Sequence, residues 1–363
     1  MKGYLILIKY PWKNALLLVL AVFLLQGKAS GQPGGGESKR IEGKTKFIPI
    51  PYINYDRSLG FSLGAVPLLM FNPVEKDSIS PSSLMGGVAT YSTSKTWFVL
   101  GFGMFYLNED RWRITSAGGI GAIHFQFYLD NLISIWVPYQ SEANFALLRV
   151  ERKIYEELYG GISYVFADVV TSMENLPIID TMRLHGIGLN LSLDKRSNLY
   201  CPRSGYYTTL KFNSFPEWLG NEKTSQKIEM DYNHYFPVRA KRDVLATRIY
   251  LGAGLGELSF NQQFIVKAPN IRGYTQGAYR GNQTVAAQGE YRWNFHRRWG
   301  AVGFAGIATV FNAINETDNG KILPGIGTGI RFRAFEETKM SVGIDVAAGI
   351  DDWGIYFQIG EAF

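Results

Sequence analysis

The chain of 363 residues has one cysteine, Cys201, so neither an internal disulfide framework nor a cysteine-rich metal site can form. The four histidines, His124, His185, His234 and His296, are scattered without metal-ligand spacing. No G-x-S-x-G, H-E-x-x-H or phosphate-loop pattern occurs. Gly325, Gly327 and Gly329 alternate as they would in a strand facing a lumen, not as a nucleotide loop. These absences give the expectation of a protein that is not an enzyme and has no metal and no cofactor.

Nothing long enough for a transmembrane helix stands out either. The apolar run Ala15–Leu25 has eleven residues, against the roughly 20 that a spanning helix needs. It follows Lys2, Lys9 and Lys13 and precedes Gln26-Gly-Lys-Ala-Ser-Gly31, the layout of a cleavable secretory leader. Residues 1–31 are therefore read as a signal peptide cut after Gly31. They hold four lysines and no acid. Taking four from 37 basic residues leaves 33 against 31 acids, so the formal charge falls from +6 to +2. The sequence pI near 9.1 is then mostly a property of the leader and argues for no nucleic-acid partner.

What the chain has in excess is glycine, 40 residues, or about 11% against a usual ~7%. Tyrosine and phenylalanine are also plentiful, at 21 and 23. Small residues and aromatics suit a transmembrane β-barrel, whose strands pack closely and whose rims carry aromatic girdles. The mean hydropathy of -0.05 fits too, because only alternate barrel residues face lipid. Residues 32–46, rich in glycine, proline and charge, are expected to be a disordered periplasmic linker. Residues 47–363 are expected to be one outer-membrane barrel.

From Phe47 the pattern has period two, the way a barrel separates lipid from lumen. Val285, Ala287, Gly289, Tyr291, Trp293 and Phe295 make one face, and Thr284, Gln288, Glu290, Arg292 and Asn294 the other. Ile326, Thr328, Ile330 and Phe332 likewise alternate with Gly327, Gly329, Arg331 and Arg333. The same reading predicts sixteen strands between 47–56 and 353–362, among them 111–126, 142–155, 157–168 and 181–193. An even number lets both ends of a bacterial barrel lie in the periplasm. A soluble sandwich would alternate too, but its outer face would be polar. Counting from a periplasmic start, the long connector 256–283 is the sixth outer loop. Two inner turns, 72–82 and 194–204, are longer than the rest.

That sixth loop contains Asn270-Ile-Arg272-Gly273-Tyr274, which resembles the Arg-Gly-aromatic motif of the BamA/TamA superfamily of bacterial surface-antigen barrels. Three more segments are similar to that family. Asp194-Lys-Arg196-Ser-Asn198-Leu-Tyr-Cys-Pro202-Arg-Ser-Gly205 looks like its periplasmic turn after the eighth strand. Pro51 to Gly64 resembles its first hairpin. The end of the chain, with Ile355, Phe357, Ile359 and Phe363 on one face, resembles the C-terminal signal by which such barrels are recognised for assembly.

The resemblance implies sixteen strands and a loop arginine folded into the lumen against acids on the twelfth and thirteenth strands. Glu290 supplies the first. Gly306 stands where the second is usual, so Arg272 is expected to meet Glu290 alone. Gly273 would give the backbone a conformation closed to other residues, and Tyr274 would pack on the wall. Pro49 and Pro51 in the first strand lack ladder donors, and Gly354 and Gly360 lie in the last. A poorly bonded seam between these strands, like a lateral gate, is one reading. Pro49 and Pro51 as an entry linker below the membrane is another, equally open. The 32–46 linker has no room for the family's periplasmic POTRA domains.

Two functions follow from these features. One is assistance to outer-membrane protein assembly or translocation, with outer-membrane lipid and protein partners of the periplasm or outer membrane around the barrel. The other is a passive pore or structural barrel without insertase activity.

Overall fold

The computed structural model describes residues 45–363 except 57–59, 130–134, 174–178, 200, 241, 260–261, 276–277, 314 and 334–338. The expected signal peptide and nearly all of the 32–46 linker lie outside the described residues. Only Thr45 and Lys46 of that linker are seen, and they pair with Phe71 and Met70 as the start of the first strand.

The strands run β1 (Thr45–Asp56), β2 (Gly60–Phe71), β3 (Ser83–Ser92), β4 (Trp97–Leu107), β5 (Trp112–Leu129) and β6 (Ile135–Tyr155). They continue with β7 (Leu158–Met173), β8 (Ile179–Asp194), β9 (Gly205–Phe215), β10 (Ser225–Val238) and β11 (Asp243–Gly256). The two-residue β12 (Phe264–Ile265) precedes β13 (Arg280–Trp293), β14 (Trp299–Ala313), β15 (Leu323–Arg333), β16 (Ser341–Ala348) and β17 (Trp353–Ile359). Without β12, sixteen antiparallel strands pair in chain order, and β17 returns to β1, closing a barrel. Among the described residues no helix is long and apolar enough to cross a membrane.

The lipid-facing wall is the half of each strand that the alternation predicts. Ile120, Ile162, Leu189, Ile326 and Ile330 point outward and are more than half exposed. Their neighbours face a packed lumen. One apolar cluster there runs from Ile48 and Val66 through Leu100 and Phe145 to Leu184 and Leu199. A second gathers around Phe264, Ile271 and Tyr274 of the sixth loop.

The sequence reading underestimated the height of one wall. β5 and β6 pair without a break from Trp112↔Arg152 to Leu129↔Ile135, whereas the predicted strands stop at 126 and begin at 142. β7 and β8 also run past their predicted 168 and start before 181. The apolar–polar alternation breaks there, as at Phe127-Tyr128-Leu129, while the backbone ladder continues. The 18 residues of β5 extend roughly 60 Å, against an apolar band of about 25 Å.

The long turn 72–82 has its own construction. Asp77 accepts hydrogen bonds from Ser80 Oγ (2.6 Å), Ser80 N (2.9 Å) and Ile79 N (3.0 Å). It also reaches the next turn, accepting from Glu109 N at 2.9 Å, while Ser80 Oγ accepts from Asp110 N at 2.7 Å. The extra residues clamp two neighbouring turns together.

Candidate functional site

The motif of the sixth loop lies inside the barrel. Arg272 is 1% exposed and its guanidinium is held between two carboxylates. Nη2 donates to Glu290 Oε2 at 2.7 Å and Nη1 to Asp345 Oδ2 at 2.6 Å. Its planar face covers the Phe304 ring, with Cζ 3.3 Å from the centroid. A buried cation needs such partners, because an unanswered charge in a low-dielectric lumen is strongly unfavourable.

The expectation of a single anionic partner is therefore corrected. Gly306 on β14 supplies no acid, but Asp345 on β16 supplies the second carboxylate. The motif docks around the wall from β13 to β17, beyond the two strands that the resemblance pointed to. Asp345 was legible: it is the one acid in the strand Ser341–Ala348, on the face of Gly343 and Ala347.

The two carboxylates are shared. Glu290 also accepts from Arg292 Nε at 2.9 Å, and Arg331 bonds Asp345 while lying 3.9 Å from Glu290. Glu361 is 3.5 Å from Arg292 and 3.7 Å from Arg331. The result is an alternating network of three arginines and three acids at the centre of the wall.

Gly273 has φ +107°, and a Cβ there would sit 2.5 Å from the carbonyl carbon of Ala348. Only glycine fits both demands. Its N–H donates to the Tyr356 hydroxyl at 2.9 Å. Tyr274 is buried; its hydroxyl donates to the Pro324 carbonyl (2.5 Å) and accepts from Ile350 N (3.2 Å). Thr275 adds two bonds to Asp352, at 2.5 and 3.1 Å. Phe304, Tyr356 and Asp352 were not picked out from sequence. A loop's partners across a lumen leave no spacing signal along the chain.

Among the described residues the junction between β1 and β17 has one paired position, Tyr55↔Ile355. Pro49 and Pro51 explain why. Pro49 stands opposite Pro67 of β2. Two prolines cannot exchange ladder bonds, so theirs is a non-bonded pair and both nitrogens face away from each other. Pro49, and Pro51 on the same parity, therefore turn their donorless nitrogens toward β17. Aromatic contacts cover the gap: Tyr55 stacks on Trp353 at 5.4 Å and Tyr52 meets Phe357 edge-on at 6.0 Å. Gly354 faces inward within β17, opposite Ala347.

The last strand ends earlier than the sequence reading placed it. Gly360, at φ +81°, turns the chain out of the sheet after Ile359, its N–H donating to the Ser341 carbonyl at 2.7 Å. Phe363 consequently does not share a face with Ile355, Phe357 and Ile359. It is buried in the lumen among Tyr235, Val244 and Ala246, and its carbonyl accepts from Arg292 Nη2 at 2.7 Å. A strand-like alternation in sequence cannot reveal a glycine kink inside it.

The turn Asp194–Gly205 also folds inward. Arg196 makes a fork onto Asp194, with Nε–Oδ1 2.8 Å and Nη2–Oδ2 2.7 Å, both side chains fully buried. Tyr207 lies 4.3 Å beneath that guanidinium. Asn198 caps the turn by accepting from Cys201 N at 2.9 Å, and Leu199, Cys201 and Pro202 are buried. Gly205, φ +90°, opens β9. Beside it, Arg113 forks onto Asp110 at 3.0 and 2.7 Å and stacks 3.5 Å over Tyr159. Among the described residues no group of three or more His, Cys, Asp or Glu could hold a metal ion.

Comparison with solved structures gives the fold a setting. The chain resembles BamA from Haemophilus ducreyi lacking POTRA domains 1–3, at 13% identity and a TM-score of 0.58, covering 94% of this chain and 79% of that one. It is similar to CdiB from Escherichia coli (11% identity, TM-score 0.61, 87% of this chain and 63% of that one). CdiB from Acinetobacter baumannii agrees (11%, 0.59, 88% and 60%). No curated protein matches by sequence. The family model described as the Omp85 superfamily domain matches residues 108–363, well over half of the chain. With its closed sixteen-stranded barrel, this chain belongs to the Omp85 superfamily.

Proposed function

We propose that this barrel sits in the outer membrane of a Gram-negative bacterium and assists the assembly or translocation of other proteins there. The β1–β17 seam is its lateral opening and the docked sixth loop is the element that governs it. The observation that carries this reading is that, among the described residues, the seam is paired at one position, Tyr55↔Ile355, beside prolines turned toward it. A further support is where the loop is anchored. Gly273 and Thr275 bond Tyr356 and Asp352, so the motif grips the strand that forms one lip. The barrel is similar in fold to those of BamA and CdiB. Recruitment of clients would fall to protein partners of the periplasm or outer membrane, with membrane lipid facing the opened seam.

The test pairs single-channel conductance of the purified barrel with the outer-membrane proteome after depletion. The expected result is a loss of other outer-membrane proteins on depletion, reproduced by a disulfide between Tyr55→Cys and Ile355→Cys. Steady conductance with an unchanged proteome would overturn the proposal and leave a passive pore.

A further inference from the structure

At the end of the barrel that carries the short turns lies a small open cavity of about 20 Å³ between the inward-folded turn 194–205 and the bases of β13 to β16. Its charged lining is one-sided. Arg203, Arg292, Arg298, Arg331 and Arg333 face it, with Glu361 the one acid among the lining residues. Arg292 and Arg331 are partly answered by Glu290 and Asp345 from the network above. Arg333 donates to the Arg297 carbonyl at 2.8 Å.

Two atoms show that the cavity is prepared for an anion. Arg292 is 5% exposed, yet its Nη1 has no hydrogen-bond partner among the described residues. The same holds for Nε of Arg333. A buried guanidinium N–H left unanswered is unfavourable unless a ligand or water takes it. Guanidinium forks converging from separate strands fit the several oxygens of a phosphate better than one carboxylate.

The cavity also touches the lipid face. Trp293 and Trp299 line it, and both lie nearly half exposed on the outer wall, next to Phe295 and Phe332. Tryptophan at such a rim marks the level of the headgroups. Basic residues continue around it: Arg242 donates to the carbonyls of Asn294 and Phe295, each at 2.8 Å, and His296 and Arg297 fill the turn. We infer that this cavity is a binding site for a phosphate group, taken from a phospholipid headgroup in the leaflet at this rim, with the acyl chains lying along Trp293 and Trp299. The inference needs the barrel to be embedded in a membrane and is independent of the assembly reading.

The probe is dioleoylphosphatidylglycerol added to the purified full chain in detergent, with retention followed by native mass spectrometry. Arg298→Gln, in an exposed turn, and Arg333→Gln should each lower lipid occupancy about five-fold. Arg152→Gln beside Trp112 tests the same rim without a cavity and should leave occupancy unchanged. Equal losses in all three would overturn the site. The retained heat-shift of the folded barrel on a gel keeps unfolding from imitating the result. In a second arm, sodium phosphate is titrated into lipid-free protein while tryptophan emission is read. A saturable response with no retained lipid would overturn the lipid source and make free phosphate the ligand.

Discussion

Arg272 and Asp345 are 73 residues apart in the chain and 2.6 Å apart in the lumen. The contact ties an outer loop to β16, and Glu290 on β13 completes the clasp. Removing one partner of a buried pair typically costs about 3–5 kcal/mol, because the other charge stays behind. Arg272→Ala should therefore lower the temperature at which the barrel band unfolds on a gel. Combined with Asp345→Asn or Glu290→Gln it should lower it by much less than the sum. Strictly additive losses would show that the three do not act as a unit.

Gly273→Ala should undock the same loop without touching a charge. The new Cβ meets the Ala348 carbonyl in a backbone region that alanine avoids, a strain of about 1–3 kcal/mol. Limited proteolysis should then cut within 256–279, a region expected to be resistant in the parent. Unchanged resistance would mean that Tyr274 and Thr275 suffice to hold it.

The seam makes a finer prediction. Continuing the Tyr55↔Ile355 register places Pro51 opposite Ile359, still within β17, and Pro49 opposite Glu361, beyond the Gly360 turn. Pro51→Val restores a donor where an acceptor exists and should raise heat stability by about 0.5–1.5 kcal/mol. Pro49→Val should do little. If the seam is a working opening, Pro51→Val should also depress the amounts of other outer-membrane proteins. Stabilisation of similar size by both substitutions would contradict the register.

Asp77 has a pH signature. Burial alone would raise its carboxyl; bonds from Ser80, Glu109 and Ile79 outweigh this and hold it down to about 2. A carboxylate with a depressed folded pKa contributes stability above its ordinary value near 4 and loses that contribution as pH falls through 2. Protection of the Glu109 amide from hydrogen exchange should weaken across that window. Asp77→Asn should show weak protection at every pH, and a parent profile as flat as the variant's would remove the clamp.

Cys201 reports on the inner mouth. Burial pushes its thiol above the usual range, and Arg292 and Glu361 of the C-terminal network lie close by. It should resist maleimide in the folded barrel and react once Phe363→Ala loosens the segment after Gly360. Rapid labelling of the parent would show that the turn 194–205 does not stay folded inward.

The strands were legible because the bilayer imposes a contrast, lipid on one side and lumen on the other, that each crossing repeats. Where that contrast stops, legibility stops with it. The tops of β5 to β8 were missed because the strict alternation breaks there, as at Phe127-Tyr128-Leu129. Phe363 was misplaced because Gly360 redirects a chain whose side-chain pattern still reads as a strand. Within the site, Arg272, Gly273 and Glu290 could be named from a motif and a parity. Asp345 stands out as the one acid of its strand, but its pairing with Arg272, like the contacts of Tyr356 and Phe304, depends on the depth to which the loop descends, and no spacing along the chain encodes that. The length of the turn 72–82 was visible, but its purpose depended on a neighbour 30 residues away.

A barrel wall can also be regarded as a hoop under load. Even the short β16–β17 junction is held at seven successive positions, from Val342↔Ile359 to Ala348↔Trp353. Among the described residues, the β1–β17 junction is held at one. Outward pressure on such a ring is felt around its whole circumference but yields where the bonding is thinnest. If the seam is the opening proposed above, whatever swelled the lumen would part the wall at Tyr55 and Ile355, along a tear line with a fixed direction.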